Sequence, residues 1–339
     1  MELSPKISII TPVWNGLPFI EECVTSVLNQ DFQDWELIIS DNGSYDGTRE
    51  YLDTLADPRI RVIKQEKNIG IIKNVNFIFS QARAPISQLL CADDYFIKPT
   101  AITEILKYWE SASPEIGFVK FNHRAQDIKM AMGKKQGLPS IIYPAEADLW
   151  SFTFGCIPKN LSDVSIRTAL VAEMGEFNYH LPAAGDFEFW IRAARKVVMG
   201  LSEENVVHVR KHEKVASHYQ NLKGELFLQH IIIYENLIEE LSSSHPHKSL
   251  VNFFNYEIAT FHYRNAIKAA AHGNFKYLKQ MLSARSPIVW PVWKQLLICF
   301  PVALLNIRES ITDYMAMKLI DNQLHPNKKR AKLNFQFSN

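Results

Sequence analysis

A mostly parallel β-sheet covered by helices on both faces, an α/β fold, is predicted for the N-terminal part of this chain by three observations. Residues 7 to about 120 alternate short β-rich runs with helical patterns, the succession that builds strands joined by crossover helices. Several of the runs are apolar almost throughout, as strands buried on both faces are. The segments after them are polar and hold spaced glycines or adjacent carboxylates, as expected where strands deliver their carboxyl ends to a ligand crevice.

In chain order, Ile7 to Ile10 reads as the first strand and Leu17 to Leu28 as the first helix. Trp35 to Ser40 is the second strand, with a helix from about Asp46 to Leu55. Ile60 to Lys64 is a short strand, Ile71 to Ala82 a helix, Ile86 to Cys91 a strand, and Pro99 to Glu110 a helix. From Phe118 to Tyr143 the pattern loosens, and Gly133, Gly137 and Pro139 predict a loop. A helix is expected to follow Asp186, through Phe189, Trp190 and Ala193.

After about His218 the character becomes helical, with helices over Leu222 to Leu241, Ser249 to Ala271 and Phe275 to Ala284. The last two, with Gly273 between them, predict a helical hairpin. Residues 288–307 carry one charge, Lys294, with Trp290, Trp293, Pro291 and Pro301. Two prolines and flanking tryptophans fit an interfacial or groove-lining segment better than a membrane span, and a buried core helix is the plainer alternative. The basic cluster Lys328, Lys329, Arg330 and Lys332 predicts a solvated end. The expected division is therefore residues 1–220, 221–325 and a flexible tail over 326–339.

The 339 residues suffice for one large domain with a smaller appendage, and 47% hydrophobic with 22% charged residues is ordinary for a globular protein. A formal charge of +1 argues against a general nucleic-acid binder. Cys23, Cys91, Cys156 and Cys299 lie far apart with no CxxC pair, so reduced core thiols are expected rather than disulfides or a zinc site. The first residues, Met1 to Lys6, lack the apolar stretch of a signal peptide, so a cytoplasmic protein is expected.

Three turns carry the chemistry. Thr11-Pro12-Val13-Trp14-Asn15-Gly16 follows the first strand, and Asp41-Asn42-Gly43-Ser44-Tyr45-Asp46-Gly47-Thr48 follows the second. Gly43 and Gly47 permit close backbone approach, and Asp41 is an acceptor able to read a base edge. Ala92-Asp93-Asp94 follows the fourth. Adjacent like charges repel, and a hard divalent cation that itself grips phosphate oxygens relieves them. Taken alone, an Asp-Asp pair also caps helices, and a segment such as Asp41 to Thr48 is usually a capped turn. No GxGxxG or GxxxxGK[ST] follows any strand, which removes support from dinucleotide and P-loop readings.

Taken together, these pieces resemble the family 2 glycosyltransferases, whose fold is the Rossmann-like GT-A fold. The match runs in order through Thr11 to Asn15, Ser26 to Gln30, Asp41 to Thr48, Asn68-Ile69-Gly70 with Lys73-Asn74, and Ala92-Asp93-Asp94. It is good over residues 7 to about 115, patchy to 220 and absent beyond. The resemblance implies that Pro12 and Asn15 line the nucleotide-sugar site and that Asp41 and Lys73 contact the donor's base. It further implies that Asp93 lies by the ribose and that Asp94 binds Mn²⁺ or Mg²⁺ on the diphosphate. Asn42 stands where a second acid is common, and Lys73 where Arg is common, which keeps charge but loses a planar fork.

Further on, Gly185 to Arg192 resembles the family's acidic motif at the start of an acceptor-site helix, with Gly185-Asp186 in place of Glu-Asp. That makes Asp186 the expected general base, with an N-cap role as the structural alternative and Glu188 as runner-up base. Arg210-Lys211-His212 resembles the later Arg-x-His element, without the Tyr that often precedes it. It implies His212 as a metal or diphosphate ligand and Arg210 as a contact to the departing phosphates.

The expected function is inverting, metal-dependent sugar transfer from a nucleotide-sugar donor, UDP favoured, to a saccharide or lipid-linked acceptor in cell-envelope polysaccharide synthesis. Peripheral contact with the inner membrane face through 288–307 and homo-oligomerisation through the C-terminal helices are further expectations. Two other classes compete. A non-catalytic scaffold is left room by Gly185 and the helical appendage. A sugar-phosphate nucleotidylyltransferase would need a Gly-rich, Arg-containing loop after the first strand, where Thr11 to Pro18 offers one glycine and no cation.

Overall fold

The computed structural model describes residues 5–122, 138–210, 224–305 and 308–324. These fold as two compact units, the first drawn from Met1–Arg124, Pro139–Ala147 and Cys156–His212, the second from Ala125–Leu138, Asp148–Gly155 and Glu213–Asn339.

The first unit is an α/β layered structure. In chain order its elements are β1 (Ile7–Val13), α1 (Phe19–Leu28), β2 (Trp35–Asp41), α2 (Thr48–Asp53), β3 (Ile60–Lys64), α3 (Ile71–Phe79), β4 (Ile86–Leu89), β5 (Tyr95–Phe96), α4 (Ala101–Ser111), β6 (Ile116–Lys120) and β7 (Ile141–Ile142). α5 (Pro144–Phe154) follows, its residues from Asp148 on counted with the second unit, and the first unit continues with a 3₁₀ turn at Leu161–Asp163, β8 (Val164–Arg167), α6 (Ala169–Glu173), α7 (Gly185–Ala194), β9 (Val198–Leu201) and β10 (Val207–His208). Eight strands form one sheet in the order β3-β2-β1-β4-β8-β6-β9-β7, and β10 pairs with β5 beside it.

The left half of that sheet, β3-β2-β1-β4, is parallel, as the alternating pattern predicts. Register carries Val13 opposite Asp41 and Ile10 opposite Leu89, so β1, β2 and β4 release their chains along one edge. Ile7, Ile9, Leu37, Ile39 and Leu90 are fully buried between the helical layers. Full burial of such aliphatic side chains stabilises by roughly 1.5–3 kcal/mol each, which is why these strands are apolar on both faces.

Several boundaries differ from expectation. The first strand runs on through Val13, because Thr11, Pro12 and Val13 stay in register with Ile39, Ser40 and Asp41. The fourth stops at Leu89 instead of Cys91: Leu90 N–H still bonds Ile10 O, but Cys91 N–H turns to the Ser162 hydroxyl. β7 lies inside the region read as loop, and β6 runs into its start. They were hidden because β8 inserts antiparallel between β4 and β6, so no βαβ spacing marks them.

The second unit is helical: α8 (Glu225–Leu241), α9 (His247–Glu257), a π turn at Ile258–His262, α10 (Tyr263–Ala271), α11 (Lys276–Ser283), α12 (Val292–Leu305) and α13 (Arg308–Leu324). The helix expected over 249–271 is thus interrupted by the π turn, where one residue too many is accommodated per turn. α10 and α11 form the expected hairpin, closed by Gly273 N–H to Ala270 O and Asn274 N–H to Ala269 O. Pro301 lies within α12. Among the described residues no helix is long and apolar enough to cross a membrane.

Candidate active site

The edge where β1, β2 and β4 end gathers most of the singled-out residues. After β1, Asn15 takes positive φ (50°), its N–H donates to Ser44 Oγ (2.8 Å) and its Oδ1 accepts from Tyr45 N–H (3.0 Å). The first turn is thereby locked to the second. Pro12 sits half-buried beside Ser40 of β2. Gly43 has φ +79°, and a Cβ there would meet backbone atoms of Lys67 and Asn68 at 2.8 Å. Only glycine lets the loop before α3 approach so closely.

Asp41 is fully buried at the end of β2. Its carboxylate accepts from Arg49 Nε (2.7 Å) and from Ser44 N–H (3.2 Å). Arg49, which sequence reasoning missed, is therefore the direct partner of the residue expected to read a base. Lys73, in the first turn of α3, is exposed and lies with its Nζ 4.7 Å from the centre of the Tyr179 ring, a cation–π contact. Asn42, where the family often has an acid, ties its own turn to the next: Nδ2 donates to Asn68 Oδ1 and Oδ1 accepts from Ile69 N–H.

Asp93 and Asp94 follow β4. Asp94 is buried; its Oδ2 accepts from the Ser162 hydroxyl at 2.5 Å and its Oδ1 from Arg210 N–H at 2.9 Å. Ser162, itself fully buried, accepts Cys91 N–H (2.8 Å), so one hydroxyl fixes both the turn and the carboxylate. Arg210 Nη1 donates to Asp93 O (2.6 Å), its Nη2 pairs with Glu22, and its guanidinium lies 4.6 Å from the centre of the Tyr95 ring. Thus the Asp93–Asp94 pair and Arg210, far from it in the chain, occupy one place. Lys211 and His212 lie outside the described residues.

The carboxylates of Asp93 and Asp94 and the Cys91 sulfur lie within 4.8 Å of one another. Burial, and then the charge of Asp93, pushes the Asp94 carboxyl up to about 6. Burial raises the Cys91 thiol well above its usual value. The hard donors here are two carboxylates, one of which pays an electrostatic cost for being charged, and such donors suit Mg²⁺ or Mn²⁺.

Behind Asp94 lies a second buried cluster. Asp163 accepts from Lys120 Nζ (3.1 Å) and from Asn122 Nδ2 (2.7 Å), and Asn122 Nδ2 also reaches Val207 O. This network anchors the 3₁₀ turn bearing Ser162 to the end of β6 and to β10, three residues before Arg210. No motif announced it, because its members are scattered through the chain.

Asp186 lies in the first turn of α7, whose cap residue is Ala184. The expected cap role is thus taken by another residue, and the helix begins at Gly185 rather than after Asp186. The Asp186 carboxylate is bonded by backbone N–H groups of its own turn, Phe187 first, yet burial dominates and raises it above the ordinary range. It acts electrostatically on the thiol of Cys156, whose segment leads on to Ser162. Glu188 is engaged elsewhere, paired with Arg192 Nε at 2.6 Å. Gly185 has no room for a side chain: a Cβ would meet Asn178 O at 2.4 Å.

Residues 8–144 match the sequence profile of glycosyl transferase family 2. That stretch is similar to family 2 glycosyltransferase domains. An uncharacterized glycosyltransferase of Haemophilus influenzae is 24% identical over 251 residues, covering 69% of this chain and 75% of that protein. TuaG of Bacillus subtilis, assigned to teichuronic acid biosynthesis, is 34% identical over 125 residues, 36% of this chain and 49% of its own length. The chain thus spans three quarters of one relative and about half of the other.

Among solved structures, residues 1–349 of S. aureus TarS in complex with UDP-GlcNAc superimpose with a TM-score of 0.58 at 16% identity, covering 95% of this chain and 92% of that one. The mannosyltransferase PcManGT from Pyrobaculum calidifontis, in complex with GDP-Man and Mn²⁺, gives 0.55 at 17%, covering 96% and 87%. Both likenesses are of fold, and the fold is GT-A.

Proposed function

We propose that this glycosyltransferase moves a sugar, with inversion, from a nucleoside-diphosphate sugar to a hydroxyl of a saccharide or lipid-linked acceptor used in cell-envelope polysaccharide synthesis, at the cytoplasmic side of the membrane. The single observation that carries the reading is the Asp93–Asp94 pair, held by Ser162 and Arg210 at the carboxyl edge of the parallel strands. A UDP-sugar is the favoured donor, because TarS of the same fold is seen with UDP-GlcNAc; the GDP-Man complex of PcManGT makes GDP-sugars the next to try. The envelope assignment leans on TuaG.

In this reading Asp41, Asn15 and Pro12 wall the base end of the donor, with Arg49 holding the Asp41 carboxylate in place. Lys73 supplies a cation beside that end. Asp93 and Asp94, with His212, would hold Mn²⁺ or Mg²⁺, which when bound neutralises charge on the diphosphate. Arg210, already tied to Asp93 O, presents its guanidinium to the departing phosphates. Asp186 takes the proton from the acceptor hydroxyl as that oxygen attacks the anomeric carbon, and the bond to the diphosphate breaks with its electron pair. Burial suits Asp186 to this, since a raised carboxyl is a stronger base nearer neutral pH.

Calorimetry with UDP and Mn²⁺, alongside an assay of nucleotide release from a panel of donors, tests the assignment. Asp94→Ala is expected to lose metal-dependent UDP binding. Asp186→Asn keeps that binding and loses roughly 10²–10⁴-fold in transfer rate. Unchanged binding by Asp94→Ala defeats the reading.

A further inference from the structure

We propose that the outward face of α11, with the acid-free segment around it, docks on the surface of an anionic lipid bilayer. This goes beyond the reaction above and does not depend on it. A helix on a protein surface normally turns polar residues outward. α11 turns Tyr277 and Met281 inward, where both are buried, yet its outer face is also apolar. Phe275 and Leu282 are 64% and 44% exposed, and with Leu278, Lys279, Ser283 and Arg285 they line one concave patch of about 450 Å³. Phe275, Leu278 and Leu282 fall at helical spacing, so they share one stripe, with Lys276 and Lys279 flanking it.

Charge says what covers this face. Residues 258–307 hold six Lys and Arg (Arg264, Lys268, Lys276, Lys279, Arg285 and Lys294) and no Asp or Glu. Taking those six from the 37 Lys and Arg leaves 31 against all 36 acids, so a nearly neutral chain concentrates its positive charge here. A second copy of the same face would bring cations against cations. Nucleic acid would pair with the cations and leave Phe275 and Leu282 in water. A bilayer of anionic lipid offers phosphates at the depth of the lysines and hydrocarbon just below, which satisfies both. In the same segment Trp293 and Leu297, one turn apart on α12, are each 65% exposed, and tryptophan favours the headgroup layer. The centre of contact is thus 275–285, somewhat before the 288–307 stretch singled out from sequence.

Flotation of the full chain with phosphatidylcholine vesicles and with phosphatidylcholine–phosphatidylglycerol vesicles, at low and high salt, tests this without donor or acceptor. The chain is expected to float with the anionic vesicles at low salt, and high salt or neutral lipid should release most of it. Lys276→Glu with Lys279→Glu should lower partitioning roughly tenfold or more, since each cation is worth about fivefold at such a surface. Phe275→Ser with Leu282→Ser should lower it as well, with nucleotide release and melting temperature unchanged because both side chains are exposed. Equal partitioning onto neutral and anionic vesicles overturns the proposal, as does wild-type binding by either double variant. A dimer in solution that Phe275→Ser with Leu282→Ser converts to monomer also overturns it, assigning the face to a second copy.

Discussion

Position 185 shows how much one side chain can decide. A methyl group on Gly185 would sit 2.4 Å from the Asn178 carbonyl oxygen, and that oxygen belongs to backbone that cannot swing away. Gly185→Ala should therefore cost about 1–3 kcal/mol as an overpacking change, read as a lower melting temperature. Gly185→Glu, which restores the commoner acidic pair, should cost at least as much. An Ala variant as stable as the parent would show that the 178–184 segment yields freely. From sequence alone the glycine looked like a lost acid and a reason to doubt catalysis; the structure supplies a packing reason instead. Other residues were legible only in part. Asp41, Asp93 and Asp94 stand out because they end apolar strands, but Ser162, 68 residues from its partner Asp94, carries no local sign of its task. Arg49 likewise reads as a helix-surface cation until its bond to Asp41 is seen.

At the scale of elements, legibility followed burial. β1 to β4 and the helices between them were readable to within a few residues, since strands covered on both faces must be apolar runs. β7, with two residues, and β8, inserted antiparallel, have neither the length nor the spacing to declare themselves. The π turn before α10 was equally silent, yet it ends in a buried histidine with consequences. His262 Nδ1 lies 2.6 Å from the Tyr277 hydroxyl, and its Nε2 lies 3.4 Å from His230 Nδ1. One consistent arrangement has Tyr277 donating to His262 and His262 donating to His230, with both rings neutral. A proton added at His230 Nδ1 would set two N–H groups against each other, and burial already lowers His230 from 6.5 to about 4. Because the folded value lies below the unfolded one, the unfolded chain takes up the proton first. Stability is therefore unaffected above pH 6.5 and is lost as pH falls from there toward 4, by about 3 kcal/mol at most. Melting curves of the wild type and His230→Gln between neutral pH and 4.5 check this; the variant should show the shallower decline, and parallel curves would remove His230 from the account.

For the whole molecule, the telling fact is that chain order and compact units do not coincide. The segment Asp148–Gly155 belongs with the C-terminal helices although it lies between two stretches of the first unit. Phe152, fully buried, packs its ring at a tilt with its centre 5.4 Å from that of Tyr234 and 5.3 Å from that of Phe253, and Trp150 is 6% exposed. Composition changes near 218, so a sequence reader cuts there; nothing in the short helical stretch at 148–155 reveals that its apolar side is satisfied by residues eighty and more positions later. A chain ending at residue 220 would keep Phe152 and lose both of its ring partners. Uncovering that aromatic side chain costs about 1.5–3 kcal/mol of burial and leaves an apolar patch in water. Residues 1–220 made alone are therefore expected to bind the dye ANS, to aggregate, and to melt well below the full chain. Phe152→Ser and Trp150→Ser in that truncated form should restore solubility without restoring the melting temperature of the whole. A truncated form that melts cooperatively at the full-length temperature and binds no dye would show instead that the first unit stands without residues 221–339.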